Sequence, residues 1–74
     1  MIGTKYPNIN AERVRKGMTF EDVAKRYGVG RKTVYTWLHK GNIPLRVLCD
    51  MSDFFGCSID YLLGRSEYNT GRVQ

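Results

Sequence analysis

The 74-residue sequence predicts a compact all-α domain of five short helices. Apolar residues recur at three- and four-residue spacings, no segment alternates with period two over a strand's length, and glycines stand where each helical stretch should stop. The length suits one domain, and an apolar content of 42% is enough for a core rather than a disordered chain.

The elements follow in order along the chain. A first helix is expected from a cap at Asn8 or Asn10 through Lys16, stopped by Gly17, which leaves residues 1–8 as an N-terminal arm. Thr19 caps a second helix that runs to Tyr27 and ends at Gly28. Asp22, three residues on, completes a variant of the capping box, and Glu21 joins it at the positive end of the helix dipole. Val23, Ala24 and Tyr27 share one face of that helix. A third helix runs from Arg31 to His39 or Lys40 and stops at Gly41. At about 100° per residue, Val34, Trp37 and Leu38 fill one apolar arc of it. Lys32, Tyr35, Thr36 and His39 fill the opposite arc, with Arg31 at its edge.

Pro44 suits the start of a fourth helix, which continues to Phe55 and ends at Gly56. Its inward stripe is read as Leu48, Met51, Phe54 and Phe55, with Cys49 alongside. Ser58 caps a short fifth helix, Ile59 to Leu63, ended by Gly64; Ile59, Leu62 and Leu63 add to the core. The closing stretch RSEYNTGRVQ has no periodicity. The folded domain is therefore expected over residues 9–65, with residues 66–74 a flexible tail.

Several function classes find no support. No apolar run approaches the roughly 20 residues of a membrane helix, and MIGTKYPNIN lacks the pattern of a signal peptide, so a cytoplasmic protein is expected. Cys49, Cys57 and His39 are too few and too scattered for a zinc site, and the cysteines read as small buried hydrophobes. One histidine, no paired acids in the basic half and no phosphate-cradling glycine loop leave no machinery for catalysis. No enzyme activity, metal, cofactor or small-molecule effector is expected.

Charge carries more information. Residues 13–46 hold nine Lys or Arg against Glu21 and Asp22, a net of +7, whereas residues 47–74 hold two against four acids, a net of −2. From Lys25 to Arg46 there are six basic residues and no acid. Such a half-molecule suits a polyanionic partner, or else is a hydrated face that keeps the chain soluble.

The stretch Gly28-Val29-Gly30 decides between these. Two glycines in three positions cost roughly 1 kcal/mol each in a helix, so the chain is making a corner. Two short helices joined by a tight glycine-containing turn fit the helix-turn-helix unit, whose second helix can enter a DNA major groove. Ala24 is the small residue at the helix crossing, Gly28 supplies a positive φ, and Val34 and Trp37 seat the second helix of the pair. The outward arc of that helix is cationic, aromatic and hydroxylic, a chemistry with little purpose for stability.

Ala24, Gly28 and Val34 sit at the spacing of the helix-turn-helix signature, with Val23, Val29 and Trp37 at its apolar positions. MTFEDVAKRYGVGRKTVYTW is similar to LTQEELAKKLGVSRSTISRW of the phage repressors of Cro and C1 type, the XRE family. IPLRVLCDMSDFFGCSIDYLLG is similar to that family's IPSLETLLKLADFFGVSLDYLLG. The resemblance covers about residues 9–65 and implies a five-helix lambda-repressor-like domain. Three departures stand out: Phe20 replaces a phosphate-binding glutamine, Gly30 replaces a serine or threonine cap, and Leu38 replaces a glutamate that would pair with Arg13. Arg13 is therefore expected to find another partner.

The resemblance also implies roles. Carried over by position, Arg31, Lys32, Tyr35 and Thr36 face base edges. Arginine can bind guanine O6 and N7 with two parallel bonds, lysine reaches the same acceptors less rigidly, and Thr36 can pack its methyl on a thymine methyl. Tyr35 can stack, bond a phosphate or read an edge. Phosphate contacts fall to Thr33, Lys40, Asn42 and the backbone near Gly41, with Arg46 and Lys25 in support; His39 meets a phosphate or solvent. The function implied is double-stranded DNA binding by a transcriptional repressor at a pseudo-palindromic operator. A weak homodimer through residues 58–63 and the tail would supply the two-fold axis. The alternative is an antitoxin or a phage or mobile-element accessory factor whose main partner is a protein, docking on the FF and YLL clusters.

Overall fold

The computed structural model describes residues 4–65; the first three residues of the arm and the tail expected over residues 66–74 lie outside them. The chain forms α1 (Pro7–Arg15), α2 (Phe20–Tyr27), α3 (Arg31–Lys40), α4 (Leu45–Phe55) and α5 (Ile59–Leu62), with no strand among the described residues. The all-α reading and the five helices hold.

The beginning of the first helix differs from expectation. Tyr6 precedes α1 as its N-cap with no side-chain cap bond, and Pro7 opens the helix with its preset φ. Neither asparagine caps. Asn8 lies inside α1 and its Nδ2 donates to the Tyr61 carbonyl at 2.7 Å, while Asn10 Oδ1 accepts from Arg13 Nε and Nη2. The described part of the arm is docked as well: the Lys5 and Tyr6 amides donate to the Leu38 carbonyl at 2.8 and 3.4 Å. That bond takes up a carbonyl that the last turn of α3 leaves without an intrahelical partner.

At α2 the capping box is complete. Thr19 Oγ1 accepts from the Asp22 amide at 3.1 Å, and Asp22 Oδ2 accepts from the Thr19 amide at 2.9 Å. At α4, Pro44 is the N-cap rather than the first helical residue.

The core comprises Ile9, Val23, Ala24, Val34, Trp37, Leu38, Val47, Leu48, Met51, Cys57 and Leu62, with Phe55, Tyr61 and Leu63 packed against it. Two readings of α4 need correction. Val47 is buried and was not expected to be, and Cys49 is exposed rather than a small buried hydrophobe. Phe54 stays half-buried at the rim, where the Arg26 guanidinium lies 3.8 Å and the Lys16 ammonium 4.6 Å from its ring centre. The FF and YLL clusters thus go largely into the core or under cations, Leu62 being wholly buried.

One polar feature inside gave no sequence signal. Glu12 is only 2% exposed, yet its Oε2 accepts from the Tyr61 hydroxyl at 3.0 Å and meets Arg15 Nη2 at 3.2 Å. A buried carboxylate persists only with such partners, and here the Tyr61 bond also ties α1 to α5.

A second polar tie joins α2 to α4. Arg26 donates from Nε and Nη2 to the two oxygens of Asp50 at 2.9 and 3.3 Å, and the Tyr27 hydroxyl donates to Asp50 Oδ2 at 2.7 Å. The Arg26 bonds, and after them the Tyr27 bond, hold the Asp50 carboxyl below its ordinary value of 3.8. Folding thus disfavours the proton on Asp50, so the stabilisation is complete above the ordinary value and is lost as pH falls through the lowered one. Urea midpoints should decline from about pH 4 downward. The decline should be shallower in Asp50→Asn; identical profiles for the two proteins would contradict the linkage.

Candidate nucleic-acid interface

The corner between α2 and α3 depends on one glycine more than on two. Gly28 caps α2 in the left-handed region, at φ 66° and ψ 35°, where any other residue except asparagine or aspartate costs about 1–2 kcal/mol. The Val29 amide then returns to the Ala24 carbonyl at 3.0 Å, closing the corner. Gly30 is different. Its φ of −80° suits any residue and nothing lies within 4 Å of an added Cβ. It caps α3 through its backbone alone, its carbonyl accepting from the Thr33 and Val34 amides.

Across the corner, Val23 and Ala24 of α2 and Val34, Trp37 and Leu38 of α3 are buried together. The Tyr27 ring meets Trp37 edge-on at 6.1 Å, extending the contact to the end of α2. With that face fixed inward, 3.6-residue geometry directs Arg31, Lys32, Thr33, Tyr35, Thr36 and Lys40 outward, and all six are exposed. The first turn of α3 carries no acidic residue and no side-chain cap. Its unpaired amides and the positive end of the dipole therefore stand beside Arg31 and Lys32.

Five of these six residues line two clefts that share Lys32. Arg31, Lys32 and Tyr35 line the first together with Phe20. Lys32, Thr33, Thr36, Trp37, Gly41 and Asn42 line the second, so Lys32 belongs to both. Arg46 lies elsewhere, on α4 in a cleft with Arg26, Tyr27 and Asp50, and Lys25 is exposed on α2.

Gly41 requires a correction. It is buried, its φ is 97°, and the Lys5 side chain and Tyr6 hydroxyl lie 3.1–3.3 Å from the position of an added Cβ. Its amide donates to the Thr36 and Trp37 carbonyls. The donor expected there for a phosphate is already committed to ending α3. Asn42 follows, exposed and in the left-handed region at φ 67°, a conformation asparagine tolerates better than most residues.

Two residues of this face escaped the assignment of roles by position. Phe20, the first residue of α2, turns its ring toward Tyr35, with centroids 6.2 Å apart. Arg13, without a glutamate at position 38, stacks its guanidinium 4.7 Å from the Phe20 ring centre and donates from Nη1 to the Met18 carbonyl at 2.6 Å. The Phe20 departure and the helix-one arginine were both visible in the sequence; their pairing was not. His39 stacks on Tyr35 at 4.0 Å, with Nδ1 3.0 Å from the Tyr35 carbonyl, so the outward arc carries an aromatic ladder as well as charge. Among the described residues, no group of three or more metal-binding side chains comes together.

Comparison with known proteins gives one match. Residues 18–48 match the family model described as a helix-turn-helix domain, a span that takes in α2, the corner, α3 and the first turn of α4. No curated protein and no solved structure matches the chain.

Proposed function

We propose that the chain is a sequence-reading double-stranded DNA-binding protein, a transcriptional repressor of the Cro and C1 type, with α3 lying in the major groove. The observation that carries this is the two-sidedness of α3. Its apolar arc is buried against α2, and its outward arc presents Arg31, Lys32, Tyr35 and Thr36 beside a positive helix end without a side-chain cap. Arg31 and Lys32 offer donors to guanine O6 and N7, and Thr36 offers a hydroxyl and a methyl. Thr33, Lys40 and Asn42 flank that row and position the duplex by its phosphates, with Lys25 and Arg46 contributing field more than contact.

One such domain covers half a site. Two copies on a pseudo-palindrome, with half-sites about one helical turn apart, complete it, paired through residues 58–63 and the tail. Leu62 is buried within its own domain, so the half-exposed Ile59 and Leu63 remain to form that contact. The protein acts in the cytoplasm, at the nucleoid. The model match to a helix-turn-helix domain and the lack, among the described residues, of a helix long and apolar enough to cross a membrane both support this reading.

The test separates positioning from reading. Lys40→Ala should weaken every duplex alike, and a plot of log affinity against log salt should become shallower by about one unit. Fluorescence anisotropy with labelled duplexes of unrelated sequence measures both. An unchanged slope would remove Lys40 from the phosphate contacts.

A further inference from the structure

The cleft below Arg31 and Lys32 has an apolar wall, which is unexpected between two cations. Phe20 and Tyr35 form it, their rings tilted 56° to one another. Each ring is backed by a neighbour. The Arg13 guanidinium covers Phe20 and is itself anchored to Asn10 and the Met18 carbonyl, while His39 covers Tyr35. Rings held in this way lose little freedom when something docks on them.

A phosphate gains little from the ring faces of such a wall, and base-edge donors and acceptors find no partner on those faces, the Tyr35 hydroxyl at the ring's end being the one polar group of the two rings. The apolar group that a major groove offers is the C5-methyl of a pyrimidine. We propose that Phe20 and Tyr35 form a seat for a pyrimidine C5-methyl group, next to the base read by Arg31. Thymine and 5-methylcytosine present the same methyl at the same place, so either fits. The inference rests on the DNA-binding reading above and deepens it by assigning one position of the half-site to a methyl-bearing base.

The probe is the tightest duplex recovered from a randomised pool, resynthesised with each thymine in turn replaced by deoxyuridine, which removes only the methyl. In a second arm each cytosine is replaced by 5-methylcytosine. Wild-type protein should bind one deoxyuridine duplex about fourfold more weakly, the worth of one buried methylene-sized group, or bind one 5-methylcytosine duplex about fourfold more tightly. The first outcome identifies thymine as the source and the second 5-methylcytosine. Tyr35→Ala, a change on an exposed side chain, should abolish that difference, and Phe20→Leu, which keeps an apolar residue at the core's edge, should reduce it. Wild-type indifference to every methyl would overturn the seat while leaving DNA binding intact. A methyl effect that survives in both variants would place the methyl elsewhere, for instance on Thr36. Failure to bind any unmodified duplex would overturn the DNA-binding reading itself, and the seat with it.

Discussion

Trp37→Ala is expected to leave the domain only marginally stable. Trp37 is 6% exposed, belongs to the core, and holds α3 through Tyr27 at the end of α2. Truncating a buried tryptophan costs about 3–5 kcal/mol, and a domain this small has a total stability near the low end of about 5–15 kcal/mol. The melting temperature, followed by far-ultraviolet circular dichroism, should drop by more than about 15 °C. Trp37→Phe should recover over half of the loss, because the aromatic contact survives. A drop of under about 5 °C in Trp37→Ala would mean that α3 is seated by other contacts.

Arg31→Ala should leave the fold intact and alter what the protein reads. The side chain is exposed at the first position of α3, so stability should hold within about 0.5 kcal/mol. A bidentate arginine–guanine pair contributes about 1–3 kcal/mol of discrimination, so affinity for the preferred duplex should fall roughly 5- to 150-fold. Affinity for the duplex carrying the other base at that position should fall far less, since only the shared charge is lost. Competition binding with the four base variants at one position measures this. Equal losses on all four would make Arg31 a positioning charge like Lys40.

How much was legible in the sequence follows from which forces were local. Glycine punctuation and helix periodicity are local, and they located four of the five helices within a residue; the start of α1 was placed two to four residues late. The capping box at Thr19 and Asp22 follows from spacing alone. What escaped detection depends on partners far along the chain. One of the two partners of the buried Glu12 carboxylate is the Tyr61 hydroxyl, 49 residues away, and no helical pattern makes a glutamate look interior. Asn8 and Asn10 looked like caps because asparagine favours caps, whereas Tyr61 and Arg13 took their side chains and Pro7 opened the helix. Gly41 read as an available amide because the Lys5 and Tyr6 segment lying over it comes from the other end of the chain.

In the candidate site, the division of α3 into two faces follows from its 3.6-residue repeat once Trp37 is placed inside. The Tyr35–His39 step of the aromatic ladder, i to i+4, follows from it as well; the step from Phe20 does not. It needs the angle at which α2 and α3 cross, and only that angle brings Phe20 to Tyr35. The loss of a glutamate at position 38 signalled that Arg13 would turn elsewhere, without saying where.

The central claim is that the outward arc of α3 reads a base sequence rather than merely attracting a polyanion. Selection from a randomised duplex pool at near-physiological salt, followed by sequencing, tests it most directly. An enriched inverted repeat, with half-sites about one helical turn apart and a guanine at the position that Arg31→Ala relaxes, is the predicted result. A pool that remains random, with binding that simply fades as salt rises, would contradict it.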